Sequence, residues 1–337
     1  MNKLARGLIK DFLVLLVIVL ICVGYYLYMP RSAVRLHERI AATDPNVLTE
    51  ERVELSRDLE KYLAVWLPRD TGKTPTLLHL FLGNQRKFFD LSLGQAIDDI
   101  DQTAVAPGKM RIWSFMNMGA VVKTSNKAIA FDTADMPESV VQKRLADIAD
   151  IFLVTHADMD HYNPTLLKKA LQNGKSAVFP EGFRFMYESE NWSNIYYLKD
   201  GQPVDINGVK ITALQTDHRV DGNFNEPNAW YLVETDGFKI LHTGDGINFK
   251  YKNEKAALAH SGVDVFLCNV KVAAYDIRDI SPKVVVPMHL FKFMSNREEL
   301  ENSTFDYAEN IYRQYPGELK GIDIKLLFPG EGFEYEA

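Results

Sequence analysis

The sequence predicts an α/β fold, a layered sandwich of strands and helices that follows an apolar N-terminal helix and a partly helical extension. Three observations support this. Strand-like apolar runs dominate from residue 110 onward, helical patterns are interspersed among them, and the pattern before residue 110 is different. No G-x-G-x-x-G motif follows a strand, so a dinucleotide-binding fold is not predicted. The predicted divisions are 1–30, 31–109 and 110–337.

The composition is that of an ordinary globular protein. The 337 residues are 47% hydrophobic and 25% charged, with a net charge of -7, which excludes collagen-like, low-complexity and disordered classes. The acidic balance argues against nucleic-acid binding, because neutralising phosphates requires Lys and Arg. The two cysteines, Cys22 and Cys268, are too few for a disulfide framework, and both lie in apolar runs that indicate packing.

An apolar run at residues 12–29 predicts a single-pass membrane anchor. It contains 18 residues without a charge, or about 27 Å of helix, which is close to the thickness of a bilayer core. Three tyrosines lie near its end, where amphipathic rings favour the membrane interface. The alternatives are a buried core helix, a lipoprotein signal at Cys22, or a cleaved signal peptide. The last needs a shorter apolar stretch and small residues before the cleavage site.

The orientation of this anchor follows from the charges around it. Three basic residues flank each side of the run, so the positive-inside rule is close to a tie. A very short basic N-terminus before a large domain is typical of a signal anchor with its N-terminus inside. We therefore expect the large C-terminal domain to be extracytoplasmic.

The extension contains one clear helix and a stretch without an assignable pattern. Residues 49–67 predict an amphipathic helix that ends at Pro68, whereas residues 69–105 are broken by several glycines and show no chemistry. The remaining chain predicts, in order, strands at 111–124 and 128–132, a helix at 137–150, a strand at 151–154, a helix at 164–172, strands near 176–179, 195–198, 209–214, 229–235 and 238–242, a helix near 253–260, strands at 263–268 and 284–286, a helix at 296–314 and a strand at 322–328.

Histidines and carboxylates recur just past four of the predicted strands. The segment THADMDH, residues 155–161, follows the strand at 151–154 and places four candidate ligands within six residues. The other segments are TDH at 216–218, LHTGDG at 241–246 and PMH at 287–289. Strand ends can bring such separated segments together at one edge of a sheet, where imidazole and carboxylate groups can bind a metal. The isolated histidines His37, His79 and His260 are assigned to packing or surface roles.

These motifs resemble those of the metallo-β-lactamase-fold superfamily. The segment HADMDH is similar to the signature H-x-H-x-D-H, with Asp158 in place of the second histidine, and TDH, TGD and PMH follow in the family's order. The resemblance covers about residues 110–332 and implies an αββα sandwich with a dinuclear metal site at one edge. The segments PKVVVPMH and FPGEGF are most similar to the branch of ascorbate-6-phosphate lactonase and N-acylphosphatidylethanolamine-hydrolysing phospholipase D.

The resemblance also implies a set of metal ligands. By motif, the first ion would be bound by His156, Asp158 and His218, the second ion by Asp160, His161 and His289, and both ions by a bridging Asp245. Two divalent ions about 3.5–4 Å apart hold a bridging hydroxide and stabilise charge on the attacked group. Asp160 and Asp245 are thus the candidate catalytic residues. The mixed ligand set suits Zn²⁺, and Asp158 makes Mn²⁺ or Fe an alternative.

Two neighbours of the predicted ligands are candidates for a supporting role. Tyr162 and His242 adjoin ligands and could donate a proton to the leaving group, although packing or holding the ligands is the more common role of such residues.

Together, these features predict a membrane-anchored, metal-dependent hydrolase that acts on a phosphodiester, lactone or related ester. The substrate would be a small or lipid-like molecule. One alternative is a di-iron redox enzyme, because flavodiiron oxygen reductases resemble this fold and use an acidic residue at the position of Asp158. Those proteins carry a flavodoxin domain, and only 48 residues follow His289 here. The other alternative is a non-catalytic anchored receptor, against which the complete ligand set argues.

Overall fold

Two β-sheets, each of seven strands in the described residues, form the centre of the computed structural model. The structure describes residues 14–17, 19–20, 31–63, 76–133, 142–186, 192–217, 228–247, 249, 252–259, 261–290, 311–313 and 315–337. The strands are β1 (Lys109–Ser114), β2 (Ala120–Lys123), β3 (Ala128–Phe131), β4 (Ile151–Leu153), β5 (Ser176–Pro180), β6 (Ile195–Leu198), β7 (Pro203–Ile206), β8 (Val209–Gln215), β9 (Ala229–Thr235), β10 (Phe238–His242), β11 (Val265–Asn269), β12 (Val284–Met288), β13 (Asp323–Ile324) and β14 (Gly332–Glu336). Their order is β14-β1-β2-β3-β4-β5-β6 in the first sheet and β13-β12-β11-β10-β9-β8-β7 in the second.

Helices pack on the outer faces of the two sheets. They are a helical segment at 31–41, α1 (Glu50–Leu63), α2 (Thr76–Gln102), α3 (Leu145–Ile148), α4 (Pro164–Gln172), α5 (Lys252–Ala259), α6 (Ala274–Ile280) and α7 (Tyr315–Glu318), with 3₁₀ turns at Gln142–Arg144 and Glu181–Met186. The bounds of α4 are those predicted. Asn163 accepts a hydrogen bond from the amide of Leu166 at 3.0 Å, and Pro164 occupies the first turn, where no N–H is needed.

Alternation along the strands explains why both faces of each sheet are covered. In β4, Ile151 and Leu153 point into the core between the sheets, whereas Phe152 packs in the outer core with the helices. In β11, Leu267 faces the inner core and Phe266 the outer one. Since successive side chains of a strand point to opposite faces, an apolar run of this kind is buried on both sides. The predicted layered α/β sandwich is confirmed.

Strand direction brings the candidate segments to one edge of the sandwich. Strands β3, β4 and β5 run parallel in the first sheet, and β10, β11 and β12 run parallel in the second. Strand β8 has the same direction as β10, because each pairs antiparallel with β9. The residues that follow β3, β4, β8, β10, β11 and β12 therefore gather at the carboxyl ends of the strands, where α/β proteins place their sites.

The single strand predicted at 111–124 is wrong, because the structure has two strands joined by a tight turn. The amide of Phe115 donates to the carbonyl of Gly119 at 2.7 Å, and the amide of Gly119 donates to Met116 at 2.8 Å. Asn117 takes a left-handed conformation with φ 58°. A β-carbon at Gly119 would lie 2.9 Å from the Met116 carbonyl oxygen, so only glycine fits there.

The stretch 69–105, for which no pattern was assigned from the sequence, contains the long helix α2. Its buried apolar side chains recur at helical spacing and include Phe89, Leu93, Ala96, Ile97 and Ile100. Burial of this apolar face compensates for Gly83 and Gly94, which weaken a helix by about 1 kcal/mol each relative to alanine. Strands β7 and β14 were also not predicted from the sequence.

The predicted membrane anchor lies mostly outside the described residues. Of the run 12–29, residues 14–17 and 19–20 are described; they are helical, and their apolar side chains are 42% to 60% exposed. In the described parts of the chain, no helix combines the length and the apolar character that crossing a membrane requires. The helix predicted at 296–314 also falls largely on residues outside the described set.

A buried ion pair fastens α1 to the segment that leads into β14. Arg52 of α1 is fully buried and pairs with Glu331, and its guanidinium also donates to the Leu326 carbonyl at 2.6 Å and to Thr43 Oγ1 at 2.6 Å. The same guanidinium lies 4.8 Å from the centre of the Phe328 ring. Burial raises the pKa of Glu331 although Arg52 opposes this. The extension is thus packed against the sandwich through a group that has little access to water.

We expect Arg52→Leu to lower the free energy of unfolding by about 3–5 kcal/mol, because it leaves Glu331 as a buried charge without its cation. Urea unfolding followed by circular dichroism measures this change. Arg39→Leu is the matched control, since Arg39 pairs with Asp58 at 2.9 Å on the surface, where such pairs contribute at most about 1 kcal/mol. Equal, small losses in both variants would show that the buried pair does not hold the extension.

Candidate metal centre

Histidine and carboxylate side chains from three strand ends converge in two overlapping groups. The ligand atoms of His156, His161 and Asp245 all lie within 4.8 Å of one another. The same limit holds for Asp160, His161 and His289. The second group comprises the three residues predicted for the second ion, and we call it the second metal subsite.

Asp245 lies between the two groups. Its Oδ1 is 3.3 Å from His161 Nε2 and 3.0 Å from His289 Nε2. Asp160 Oδ2 is 3.7 Å from His161 Nε2, and the His156 and His161 rings are 3.9 Å apart between their centres. The glycines on either side of Asp245 let the turn after β10 place this carboxylate among the imidazoles.

Of the two remaining predicted ligands, the structure describes Asp158. Asp158 Oδ2 lies 3.7 Å from His156 Nε2, and the Asp158 side chain is 58% exposed. His218 is outside the described residues. Asp217, which precedes it, is buried and its Oδ1 accepts a hydrogen bond from the amide of Ile247 at 3.3 Å. The chain therefore leaves β8 directly beside the turn that carries Asp245.

Burial and charge oppose one another at these groups. Burial lowers the pKa of His161, but the carboxylates of Asp245 and Asp132 outweigh it and hold that pKa well above its ordinary value. Burial raises the pKa of Asp245, but His289 and His161 outweigh it and hold it well below the usual range. The carboxylate of Asp245 is consequently ionised at neutral pH and attracts a cation.

The donor set fits a divalent metal ion. It combines imidazole nitrogens, which suit Zn²⁺ and iron, with carboxylate oxygens, which also suit Mn²⁺. His156 and His161 are buried, whereas the Asp160 side chain is 41% exposed. The cluster is therefore anchored in the core and open towards solvent on its carboxylate side.

Asp132 is a residue of the centre that the sequence analysis did not identify. It follows β3, is fully buried, and its Oδ2 accepts hydrogen bonds from His161 Nδ1 at 2.8 Å and from Thr155 Oγ1 at 2.7 Å. Its Oδ1 accepts from the amide of Thr155 at 2.8 Å. This arrangement fixes the proton of His161 on Nδ1 and leaves Nε2 to face the cluster. The signal in the sequence that could have identified Asp132 is its position at the carboxyl end of a predicted strand, where the predicted ligands also lie.

Asn269, also missed, holds the turn that carries Asp245. It is buried at the end of β11, and its Nδ2 donates to Asp245 Oδ1 at 3.1 Å and to the Gly244 carbonyl at 3.2 Å. Its backbone amide donates to Thr243 Oγ1 at 2.9 Å. Asn269 thus limits the rotation of the carboxylate that lies between the two groups.

The two predicted supporting residues have different surroundings. His242 is buried and stacks on Phe131 with ring centres 5.0 Å apart; its Nε2 donates to the Met118 carbonyl at 2.9 Å, and its Nδ1 accepts from the Gly244 amide at 3.3 Å. Both ring nitrogens are therefore engaged with backbone groups, which favours a role in holding the turns. Tyr162 is half-buried with its ring against Phe179.

Comparisons with known proteins agree with this fold and cluster. Residues 119–289 match the family model described as "Beta-lactamase superfamily domain". A "UPF0173 metal-dependent hydrolase" from Methanobrevibacter smithii is 30% identical over 202 residues, which cover 55% of this chain and 80% of that protein. A protein of the same name from Thermococcus onnurineus is 29% identical over 184 residues, covering 51% and 81%.

Solved structures show the same fold at low sequence identity. Igni18, a metallo hydrolase from Ignicoccus hospitalis, has a TM-score of 0.52 at 17% identity and covers 68% of this chain and 99% of its own. CmlA, a diiron β-hydroxylase from Streptomyces venezuelae, has a TM-score of 0.51 at 11% identity and covers 68% and 54%. At these identities the likeness concerns the fold alone.

The fold, the cluster and the relatives together define a metal-dependent hydrolase of the metallo-β-lactamase fold. The chain belongs to the beta-lactamase superfamily, in the family of UPF0173 metal-dependent hydrolases.

We expect Asp132→Asn to weaken metal binding by about 10–100-fold, because loss of the charged partner of a ligating histidine has an effect of this size. Competition with a chromogenic chelator for Zn²⁺ measures the affinity. Asp236→Asn is the control, since Asp236 also has a positive φ, of 50°, but lies exposed on the β9–β10 turn. Metal affinity that is equal in both variants would remove Asp132 from the support of the site.

Proposed function

We propose that this hydrolase uses two divalent ions to cleave a phosphodiester, lactone or related ester. The observation that supports this most directly is the position of Asp245. One of its oxygens lies within 3.3 Å of both His161 and His289, and the same carboxylate belongs to the group that contains His156. A carboxylate that belongs to one group of ligands and lies beside a histidine of the other group is well placed to bridge two ions.

The proposed ligands keep the predicted division. His156, Asp158 and His218 hold the first ion, Asp160, His161 and His289 the second, and Asp245 both. When bound, two such ions polarise the attacked oxygen and make water a nucleophile at neutral pH. A serine or cysteine nucleophile is then not required.

The surrounding residues of the chain orient the ligands. Asp132 keeps the Nδ1 proton of His161, so that Nε2 is directed at the cluster, and Asn269 holds Asp245. His156 Nδ1 lies 3.1 Å from Thr155 Oγ1, which donates its own hydrogen to Asp132. Thr155 Oγ1 therefore accepts the proton of His156 Nδ1, and the lone pair of that imidazole is on Nε2, as in His161. Asp158 and Asp160, both partly exposed, border the solvent side from which a substrate approaches.

Zn²⁺ is the first choice of metal, and Mn²⁺ or Fe the alternative. The proposed ligands of the first ion include the carboxylate of Asp158 beside His156. A carboxylate is a harder and more anionic ligand than the imidazole that a second histidine would supply. The same feature is the basis of the second candidate function, a di-iron redox enzyme. Metal analysis distinguishes the two: a visible iron chromophore with oxygen consumption supports redox chemistry, and zinc or manganese supports hydrolysis.

The predicted anchor at residues 12–29 remains part of the proposal. The six described residues of this run are helical, apolar and 42% to 60% exposed, a combination that a lipid environment stabilises. Anchoring with the catalytic domain on the extracytoplasmic side would place the site near the membrane surface. This favours a lipid-like or envelope ester as substrate, in line with the motif resemblance to the phospholipase D and lactonase branch.

We expect the metal-reconstituted protein to hydrolyse bis(p-nitrophenyl) phosphate or a member of a lactone panel. Asp245→Asn should remove most of this activity and weaken metal retention, because an amide lacks the charge that the bridging position needs. Asp236→Asn, on the exposed turn, should retain wild-type activity. Wild-type turnover in Asp245→Asn would exclude this residue from the site, and activity without any bound metal would refute the mechanism.

We expect the full chain to remain in the membrane fraction after high-salt and carbonate washes, and a chain lacking residues 1–30 to appear in the soluble fraction with its metal content unchanged. The reason is that all candidate ligands lie beyond the apolar run. Full-length protein released by salt alone would contradict the anchor, and an insoluble shortened chain would show that the run is needed for folding.

A further inference from the structure

Asn117 lies at the tip of the tight turn between β1 and β2, just outside the region that matches the family model. It is buried, with φ 58°. Asparagine accepts this left-handed conformation better than most residues do. The turn projects from the same edge of the sandwich as the metal cluster, because β1 and β3 both pair antiparallel with β2.

The carboxamide of Asn117 contacts two members of the second metal subsite. Its Nδ2 lies 2.8 Å from Asp160 Oδ2, 3.0 Å from the Asp160 carbonyl oxygen and 3.1 Å from His161 Nε2. An amide nitrogen can only donate, and its two hydrogens serve the carboxylate and the carbonyl of Asp160. The single lone pair of His161 Nε2 is left for a metal ion, so the carboxamide packs beside that nitrogen. The charged acceptor makes the Asp160 bond the strongest of these.

The backbone of Asn117 holds the third member. The amide of His289 donates to the Asn117 carbonyl at 3.0 Å. His289 itself has φ 72°, a strained conformation for a residue with a side chain, which persists only where the surroundings enforce it. This hydrogen bond is one such constraint, and it joins the end of β12 in the second sheet to a turn of the first.

We propose that Asn117 is the positioning residue of the second metal subsite, an inference that rests on the proposed two-ion function. Asp160 and His161 come from the loop after β4, whereas His289 comes from the other sheet. Asn117 contacts all three and so sets their relative placement. It also donates two hydrogen bonds to Asp160, whose side chain is 41% exposed, and so limits the rotation of that carboxylate.

The position requires the properties of asparagine. A left-handed backbone directs the carbonyl to His289, and a short amide donor reaches Asp160 from there. Removing the carboxamide should leave the first ion in place and weaken the second, since the contacts of Asn117 Nδ2 are to Asp160 and His161, two members of the second metal subsite.

The test is a Co²⁺ titration of protein stripped with EDTA, comparing wild type with Asn117→Gly. Glycine takes a positive φ without strain and keeps the carbonyl that accepts from His289, so the variant removes the carboxamide alone. We expect wild type to bind two equivalents. Asn117→Gly should bind the first with wild-type affinity and absorption spectrum, and the second about 10–100-fold more weakly.

Asn207→Gly is the matched control. Asn207 also has a positive φ, of 55°, but lies exposed on the β7–β8 turn. It should bind two equivalents like wild type. The melting temperatures of wild type and Asn117→Gly, both measured in EDTA, separate a local effect on metal binding from a loss of stability. If Asn117→Gly has a much lower melting temperature, Asn117→Ser replaces it, because the serine side chain cannot reach Asp160.

Two outcomes would count against the inference in different ways. Asn117→Gly that binds both equivalents with wild-type affinity and spectrum overturns the role of Asn117 while leaving the two-ion function intact. Wild-type protein that binds a single equivalent overturns the two-ion function, and with it the second metal subsite.

Discussion

The metal centre depends on one buried carboxylate, that of Asp132. An ionised carboxylate far from water is stable only when hydrogen bonds and opposite charge replace its hydration. Three donors from Thr155 and His161 supply this, and His161 outweighs the effect of burial and lowers the pKa of Asp132 below its usual range. Asp132 therefore orients His161, and the loop that carries His161 in turn stabilises the charge of Asp132.

This reciprocal arrangement couples the core to the site. Asp132 directly follows β3, and Thr155 lies two residues past the end of the parallel neighbour β4, so the hydrogen bonds cross between adjacent strand ends. A shift of register in either strand would move the imidazole of His161 as well as the strand. The outer carboxylates, Asp158 and Asp160, are 58% and 41% exposed, which suits groups that must admit a metal and a substrate.

Much of the fold was predictable because apolar runs and turn residues are local signals. The bounds of α4 followed from Pro164 and Asn163, and β9 and β10 from their apolar runs. What the sequence could not show depends on contacts between distant segments. Strand β14 is recognisable as a strand only beside β1, and α2 is a helix despite two glycines because its apolar face meets a surface that only the folded chain provides.

The same reasoning applies to the site. Predicted ligands came from imidazoles and carboxylates past strand ends, and the structure brings His156, Asp160, His161, Asp245 and His289 together. Asp132, Asn269 and Asn117 were missed because single polar residues at such positions are common, and their importance depends on what they contact. Asn117 was further concealed by the assumption of an unbroken strand through a turn that a single glycine, Gly119, makes possible.

The pairing of Arg52 with Glu331 has a consequence for the order in which the newly made chain folds. The two residues are 279 positions apart, which at translation rates of about 5–20 residues per second is a delay of roughly 15–55 s. Strand β1 likewise lacks its antiparallel neighbour β14 until residues 332–336 have been made. While the chain is being made, α1 therefore has a guanidinium without its carboxylate, and the first sheet has an open edge next to β1. Residues 331–336 close both at once, so a ribosome that stops before them would release a chain with its metal-binding loops complete but its sheet edge uncovered, a form prone to aggregation.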